Sequence, residues 1–329
     1  MKILLTGATG LVGRHLLPQL LNAGHHVRVL VRPGRESALR NPDLTPFDRK
    51  DKIEIVTGDL KDVPREQSTE VVDWMRPVVR GMETVIHLAA EPRTAPEELM
   101  RTTNIFGTRE LVRAAKKANI RRFLHFSSAE CSDNLVYNVY RDTKKASEKP
   151  VRGNNLEWTV FRPAPMYGPG DRIFLGPMIA KIEKGESFDI PGDGKIKLAP
   201  VHAEDVARAV VSTLRPEVIA VDAVFHLASA GIGYDDMLNA IGQMVGKAPR
   251  IKHSSLKFKE NWLKVVDLFT KDPAARLKLS ERRNDVRFFL RDHLYSTKDA
   301  EQQIEFQARD FLTGVKQACA KPWWKDNVA

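Results

Sequence analysis

Cysteine is scarce: Cys131 and Cys319 are the only two in 329 residues. A disulfide framework is not indicated, and no metal-ligand spacing exists, so no metal is expected. Long apolar runs are missing as well. None approaches the roughly 20 residues needed to span a bilayer, so no membrane partner is expected. The opening segment, Met1 to Leu5, puts three apolar residues after Lys2, far too few for a signal-peptide core. The expected compartment is therefore the cytoplasm. Aromatic residues make up only 7%, and no basic patch interleaved with them stands out, so nucleic acid is not expected as a partner. Internal repeats and low-complexity tracts are absent too.

What is present is the make-up of a soluble globular chain, 42% hydrophobic and 29% charged. Its length allows one large α/β domain, or a core with a smaller one grafted on. The net charge of +10, from 52 basic and 42 acidic residues, admits an anionic partner such as a phosphorylated cofactor or an acidic substrate. Because lysine and arginine are spread along the chain, a solvated basic surface is the simpler reading.

Short apolar runs alternate with helical patterns. Strands are expected over 3–5, 27–31, 53–56, 84–88 and 123–126, with 158–161 and 224–227 continuing the series. Leu11, Val12, Leu16, Leu17, Leu20 and Leu21 repeat at helical spacing, and Asn22-Ala23-Gly24 reads as the stop. Pro18, inside that helix, is expected to bend it. The alternation predicts an α/β fold, a Rossmann-type doubly wound parallel sheet. Residues 1–163 are assigned to the dinucleotide-binding core. Residues 164–329 are read mainly as a smaller substrate-binding region, with segments around 201–229 returning to the core. Four Gly-Pro or Pro-Gly steps, at 168–169, 169–170, 176–177 and 191–192, suit loops and short helices that cover a site. A long polar and basic segment, 250–291, follows the last expected strand.

Gly7, Gly10 and Gly13 stand at three-residue intervals between the first strand and the first helix. The first permits a tight turn, the second lets a pyrophosphate approach the backbone, and the third lets helix and sheet pack closely. The phosphates of a dinucleotide would then meet the positive end of the helix. At the end of the second strand, where NAD binders carry an acidic residue for the ribose, stands Val31, followed by Arg32 and then Arg35. A guanidinium can hold a 2′-phosphate that a carboxylate would repel, so the expected cofactor is NADP, with NAD the alternative.

Tyr140 and Lys144 lie four apart in a segment that reads as helical, which puts both on one face. A phenol titrates near 10, and a neighbouring ammonium is expected to lower that value. Tyr140 can then exchange a proton with a substrate oxygen, to which Ser127 or Ser128 can donate a hydrogen bond. Cys131 reads as a packed thiol, and His87, His125 and His226 as core or rim histidines. Trp323 and Trp324 read as packing anchors.

Taken together, these motifs resemble the extended short-chain dehydrogenase/reductase family, also called the NAD-dependent epimerase/dehydratase family, over nearly the whole chain. TGATGLVG is similar to its cofactor turn, in which Gly7, Thr9, Gly10, Leu11, Val12 and Gly13 would line the cofactor. Asp59 and Leu60 in VTGDLKD resemble the pair that contacts adenine. HLAA, ending at Ala89 and Ala90, resembles the segment along the ribose, and Asn104 in TTNIFGTRELV matches a helix asparagine. FSSAE and YRDTK match the active-site serine, Ser128, and the Tyr-x-x-x-Lys motif. FRPAPMYGPGD, with Pro163, is similar to the segment beside the nicotinamide, and VHAEDVARAV to a later family motif that is mainly structural. The resemblance implies that Lys144 also holds the nicotinamide ribose and that Ser128 positions the substrate.

Two departures separate the chain from nucleotide-sugar enzymes. The stretch from Ser128 to Tyr140 lacks their Val-Tyr-Gly, and Lys197-Leu198-Ala199-Pro200 stands where they often carry an arginine-aspartate pair. The resemblance then tilts toward the dihydroflavonol reductase and 3β-hydroxysteroid dehydrogenase branch. The expected activity is an NAD(P)-dependent oxidoreductase interconverting a carbonyl and a secondary alcohol of a small-molecule substrate. An epimerase or dehydratase with tightly bound cofactor, and a Rossmann protein without catalysis, are the alternatives. A homodimer is one open oligomeric state.

Overall fold

The computed structural model describes residues 1–40, 52–66, 69–133, 138–153, 155–269, 279, 283, 286–320 and 323. Its centre is a sheet of seven parallel strands: β1 (Lys2–Thr6), β2 (His26–Val31), β3 (Ile53–Thr57), β4 (Thr84–His87), β5 (Arg122–Phe126), β6 (Glu157–Pro163) and a last strand, Ala223–Leu227. Their spatial order is last-β6-β5-β4-β1-β2-β3, every pair parallel. All seven expected strands are present. The order reverses between β1 and β4, and a crevice outside the carboxyl ends at such a switch point is where doubly wound sheets bind ligands.

Both faces of the sheet are covered, and β1 records this in its side chains. Ile3, Leu4 and Leu5 are all fully buried, but alternate residues join different cores. Ile3 and Leu5 meet α1 (Leu11–Asn22). Leu4 meets α2 (Met75–Val79) and α4 (Thr108–Lys117) on the opposite side. Leu16, Leu17, Leu20 and Leu21 of α1 are buried against a later helix, Ala203–Ser212. Each such leucine contributes roughly 1.5–3 kcal/mol by leaving water. That packing on both sides of Pro18 accompanies one unbroken helix, so proline does not end it. Gly24, at φ +84°, ends the turn after it.

Between α2 and α4 lie α3 (Glu97–Met100) and a seven-residue π-helical turn, Arg101–Gly107. After β5 come a 3₁₀ turn, Ala129–Ser132, and α5 (Val139–Arg152), capped by the Asn138 side chain on Arg141 N. A third apolar cluster lies apart from the sheet. It joins helix Leu175–Lys184, helix Tyr234–Val245 and helix Phe311–Ala318 around the buried Tyr167 and Trp323. Trp323 donates to Ala318 O at 2.8 Å, a packing anchor as expected, while Trp324 lies outside the described residues. Of the expected loops and short helices, Gly176-Pro177 belongs to a helix: it sits in the first turn of Leu175–Lys184. There proline's missing N–H needs no partner. The Asp171 carboxylate accepts from the amides of Ile173, Phe174 and Leu175 and holds that helix start. Among the described residues no helix is long and apolar enough to cross a membrane, and no His/Cys/Asp/Glu group could hold a metal.

Candidate functional site

The carboxyl ends of six neighbouring strands, β6-β5-β4-β1-β2-β3, lead into most of the residues singled out in the sequence. β1 runs into the glycine turn. Gly7 has φ +74°, and a Cβ there would fall 2.7 Å from Ala89 N, so only glycine lets the turn lie against the end of β4. A Cβ on Gly13 would fall 2.3 Å from Gly7 O and 2.5 Å from Ala8 Cα. Gly10 is the N-cap of α1 and supplies no capping side chain, so the first helical amides face outward as an anion cradle. Thr9 O is held by Arg14 Nε at 3.1 Å. Leu11 is half-buried, whereas Val12 packs in the core and offers the cradle only its backbone.

A buried hydrogen-bond chain ties this turn to the next strand. Ala89 N donates to Thr6 Oγ1 at 3.2 Å, and Thr6 Oγ1 lies 2.8 Å from His87 Nδ1. His87 Nε2 lies 2.9 Å from Thr108 Oγ1, which donates to Asn104 O at 2.7 Å. One direction of donation satisfies every member: Thr6 donates to Nδ1, and Nε2–H donates to Thr108. The imidazole is neutral, since burial and the Lys144 ammonium push it down to about 3. His87 is thus a satisfied core histidine.

Asn104 extends the connection. Its Oδ1 accepts from Glu91 N at 2.7 Å, and its Nδ2 donates to Glu91 O at 3.2 Å and to Thr143 Oγ1 at 3.1 Å. It therefore clamps the segment after Ala89 and Ala90 to α5, one residue before Lys144. The π-helical turn aims it inward, a use of such wide turns that recurs at functional sites. Gly107 at its end leaves room for Leu60, whose backbone oxygen would sit 2.9 Å from a Cβ there. Leu60 is buried in the core, and Asp59 beside it is half-buried. Pro163 ends β6, and its neighbour Ala164 donates to Leu227 O at 2.9 Å.

Arg32 and Arg35 follow β2 on an exposed turn closed by Arg35 N to Arg32 O at 3.0 Å. The Arg32 guanidinium is 57% exposed and pairs with Glu91 at 3.3 Å, an acidic neighbour that the sequence did not single out.

α5 lines up Tyr140, Lys144 and Glu148 at successive intervals of four, on one face. Lys144 is 3% exposed, and its ammonium has no protein hydrogen-bond partner among the described residues. Burial pushes it down to about 8, although Glu148 and Cys131 pull the other way. Tyr140 is half-buried and differs from expectation. Its phenol is raised above the usual value, first by burial, then by Glu130 and Cys131, with only Arg93 opposing. Lys144 is not among the charges acting on it, so the expected lowering by the ammonium is absent from the protein alone.

The two serines after β5 differ. Ser127 donates to Glu148 Oε1 at 2.5 Å, which commits its proton. Ser128 caps the 3₁₀ turn, accepting from Glu130 N at 3.3 Å, and keeps its own proton available. Sequence reasoning missed Glu148 and Arg162. Arg162 Nε and Nη2 reach the two Glu148 oxygens at 2.9 and 2.7 Å, a fork that holds the carboxyl below its usual range despite burial. Arg162 Nη1 also donates to Ser132 Oγ at 3.2 Å, which lies 2.8 Å from His226 Nε2. The signal was the extra interval of four after Lys144. Cys131 is buried 3.3 Å from Ser127 Oγ, and its thiol is pushed up by burial, as suits a packed residue. His202 caps helix Ala203–Ser212 through Glu204 N at 3.3 Å.

The cradle fits a dinucleotide. Its glycines leave the space that a Cβ would fill, its helix end is uncapped, and the ammonium of the buried residue Lys144 has no protein acceptor among the described residues.

Comparison with known proteins agrees with this geometry. The model of the NAD dependent epimerase/dehydratase family matches residues 3–228. A ceramide reductase of Caulobacter vibrioides is 29% identical over 249 residues, 76% of this chain and 72% of that protein. A 3-beta-hydroxysteroid dehydrogenase of Mycolicibacterium neoaurum is 28% identical over 224 residues, 60% of this chain and only 56% of that protein. Among solved structures, UDP-glucuronic acid 4-epimerase from Bacillus cereus, in complex with UDP-glucuronic acid and NAD, has a TM-score of 0.72 at 18% identity. That match covers 99% of each chain and shows the shared fold. With the switch-point crevice, the glycine cradle and the matched model all coinciding, the chain belongs to the NAD-dependent epimerase/dehydratase family.

Proposed function

We propose that the protein is an NADP(H)-dependent oxidoreductase that interconverts a carbonyl and a secondary alcohol. The observation that carries this reading is Lys144. In a residue only 3% exposed, an ammonium with no protein partner among the described residues is costly to hold unless a ligand supplies acceptors, and ribose hydroxyls at the cradle would do so. When bound, the nicotinamide supplies or accepts the hydride. The chain's own residues manage the proton. Tyr140, whose phenol stays protonated at neutral pH, is in the form that donates to a carbonyl oxygen as alkoxide character develops. Ser128 can donate a second hydrogen bond to that oxygen. The ammonium of Lys144, one helical turn along, would favour the phenolate left behind once a ligand draws the two together.

For the phosphate, Arg32 and Arg35 offer guanidinium groups where Val31 replaces a carboxylate. The pair of Arg32 with Glu91 is long at 3.3 Å and solvated on the Arg32 side, so it is weak and a 2′-phosphate can displace it. For the substrate, the relatives named as acting on ceramide and on a 3-beta-hydroxysteroid favour an apolar carbonyl compound. NADPH oxidation should be followed across long-chain, sterol and small polar ketones, with wild type and Tyr140→Phe, alongside affinities for NADPH and NADH. We expect turnover on an apolar ketone, a loss of at least about 100-fold in Tyr140→Phe, and tighter NADPH binding. Equal rates in the two proteins would remove Tyr140 from its role, and tighter NADH binding would remove the phosphate reading.

A further inference from the structure

The segment from Arg250 to Arg291 carries twelve Lys and Arg against five Asp and Glu, so it holds seven of the chain's ten excess positive charges. The basic residues are spread along the chain; their excess over acids is not. Inside this segment strand Arg250–Ser254 leads into a 14-residue helix, Leu256–Phe269. Leu256, Leu263 and Val266 of that helix pack inward against Leu279 and Val286. Phe258 and Trp262, four apart and so on one stripe, flank that packed side and are 69% and 59% exposed. Lys252, Lys257 and Lys264 are exposed on the same strand and helix, Lys264 lying 3.5 Å from Glu260, and Lys259 is tied to Asp189 at 2.5 Å.

We propose that this helix and its basic surroundings seat the protein on an anionic lipid bilayer. Single exposed apolar residues are ordinary. An exposed Phe-Trp pair on one helical stripe, with exposed lysines on the same helix, is instead the pattern of an interfacial helix. Aromatic rings enter the headgroup and acyl boundary while ammonium groups meet anionic lipid. The absence of a spanning run, from which no membrane partner was expected, has no bearing on such surface contact. Nucleic acid also attracts lysines, but it would make no use of the aliphatic Leu290, near the end of the segment, or Leu294, three residues beyond it, both half-exposed. That segment then reaches the candidate site. Arg291 pairs with Asp133 at 3.0 Å, five residues after Ser128, and Tyr295 stacks on His226. A surface that rests on lipid would thus border the place where an apolar carbonyl compound reacts.

The test is sedimentation of the full chain with sucrose-loaded vesicles, of phosphatidylcholine alone or with one part in three phosphatidylglycerol, at low and high salt. Turnover does not enter, so the outcome is independent of the oxidoreductase reading. Binding is expected only on the anionic vesicles at low salt. Phe258→Ser/Trp262→Ser, which leaves the charge unchanged, should weaken it about tenfold, as should Lys257→Glu/Lys264→Glu. Lys116→Glu/Lys117→Glu, the same charge change at the end of α4, should alter it less than about twofold. Melting temperatures near wild type establish that the variants are folded. The proposal is overturned if Phe258→Ser/Trp262→Ser binds like wild type. It is overturned equally if the α4 variant weakens binding as much as Lys257→Glu/Lys264→Glu. It also fails if wild type ignores vesicles and forms a dimer, or binds a single-stranded oligonucleotide, through Phe258 and Trp262.

Discussion

Replacing Lys144 by methionine should make the cofactor-free protein more stable while abolishing its turnover. An ordinary lysine in the unfolded chain releases its proton near 10.4. In the folded protein burial moves that release down from 10.5 to about 8. The gap of about 2.5 units corresponds to roughly 3 kcal/mol at about 1.4 kcal/mol per unit. The sign follows from proton counts. Below pH 8 both states carry the ammonium and the folded state bears the whole penalty. Between pH 8 and 10.5 the unfolded chain binds more protons, so wild-type stability rises with pH and the penalty fades. Methionine keeps most of the apolar stem and carries no charge, so its stability lacks this dependence.

Urea unfolding of both proteins without cofactor, followed by far-ultraviolet circular dichroism, measures the difference. Lys144→Met is expected to lead by roughly 3 kcal/mol at pH 7 and by roughly 1.5 kcal/mol at pH 9.5. Saturating NADPH should close the gap, because a ligand that gives the ammonium its acceptors stabilises wild type more than the variant. The reasoning is refuted if the variant is no more stable than wild type at pH 7. It is refuted too if its lead grows with pH.

Glu148→Gln should act in the opposite direction. Removing one partner of the buried fork with Arg162 leaves a charge uncompensated and should cost about 3–5 kcal/mol at pH 7. Because the folded carboxyl titrates below its usual range, this share of stability is present above about pH 4.3 and lost as pH falls. Urea midpoints of the two proteins should therefore draw together as pH falls below about 4.3, and a gap that stays constant would contradict the ion pair. Gly13→Ala forces a Cβ to within 2.3 Å of Gly7 O, a backbone atom that cannot step aside. Opening the turn should weaken NADPH binding, titrated by nicotinamide fluorescence, at least about tenfold; unchanged affinity would mean that the turn does not hold the dinucleotide.

The sheet was legible because its strands are short apolar runs separated by turn residues. Ile3, Leu4 and Leu5 needed no neighbour to identify them. The glycine turn was legible for a stronger reason: Gly7 and Gly13 are positions where any side chain collides with backbone, so geometry and residue type correspond one to one. Less legible was Pro18. Its local effect is to remove a hydrogen bond, and burial of the leucines around it outweighs that loss. The Arg32 environment was half legible. Val31 and Arg32 are adjacent in the chain, but Glu91 reaches Arg32 from a different strand end, and nothing local announces it.

Tyr140 marks where reasoning from spacing stops. Four residues on a helix establish a shared face, yet the sign of a pKa shift depends on how much solvent each group loses. Burial and Glu130 raise the phenol, while burial lowers the ammonium. Desolvation alone thus pushes both groups toward their neutral forms, and a bound ligand is what can reverse the balance. The same geometry explains why Glu148 matters. It lies one further turn along the face, paired with Arg162 and the Ser127 proton, so its hydrogen bonds go to those groups, and only its charge at a distance, too weak to offset burial, reaches Lys144. Had Glu148 been left unpaired, it would hold the lysine protonated and satisfied, and the site would lose its demand for an outside acceptor. The fork with Arg162 is therefore what leaves Lys144 free to select a ligand.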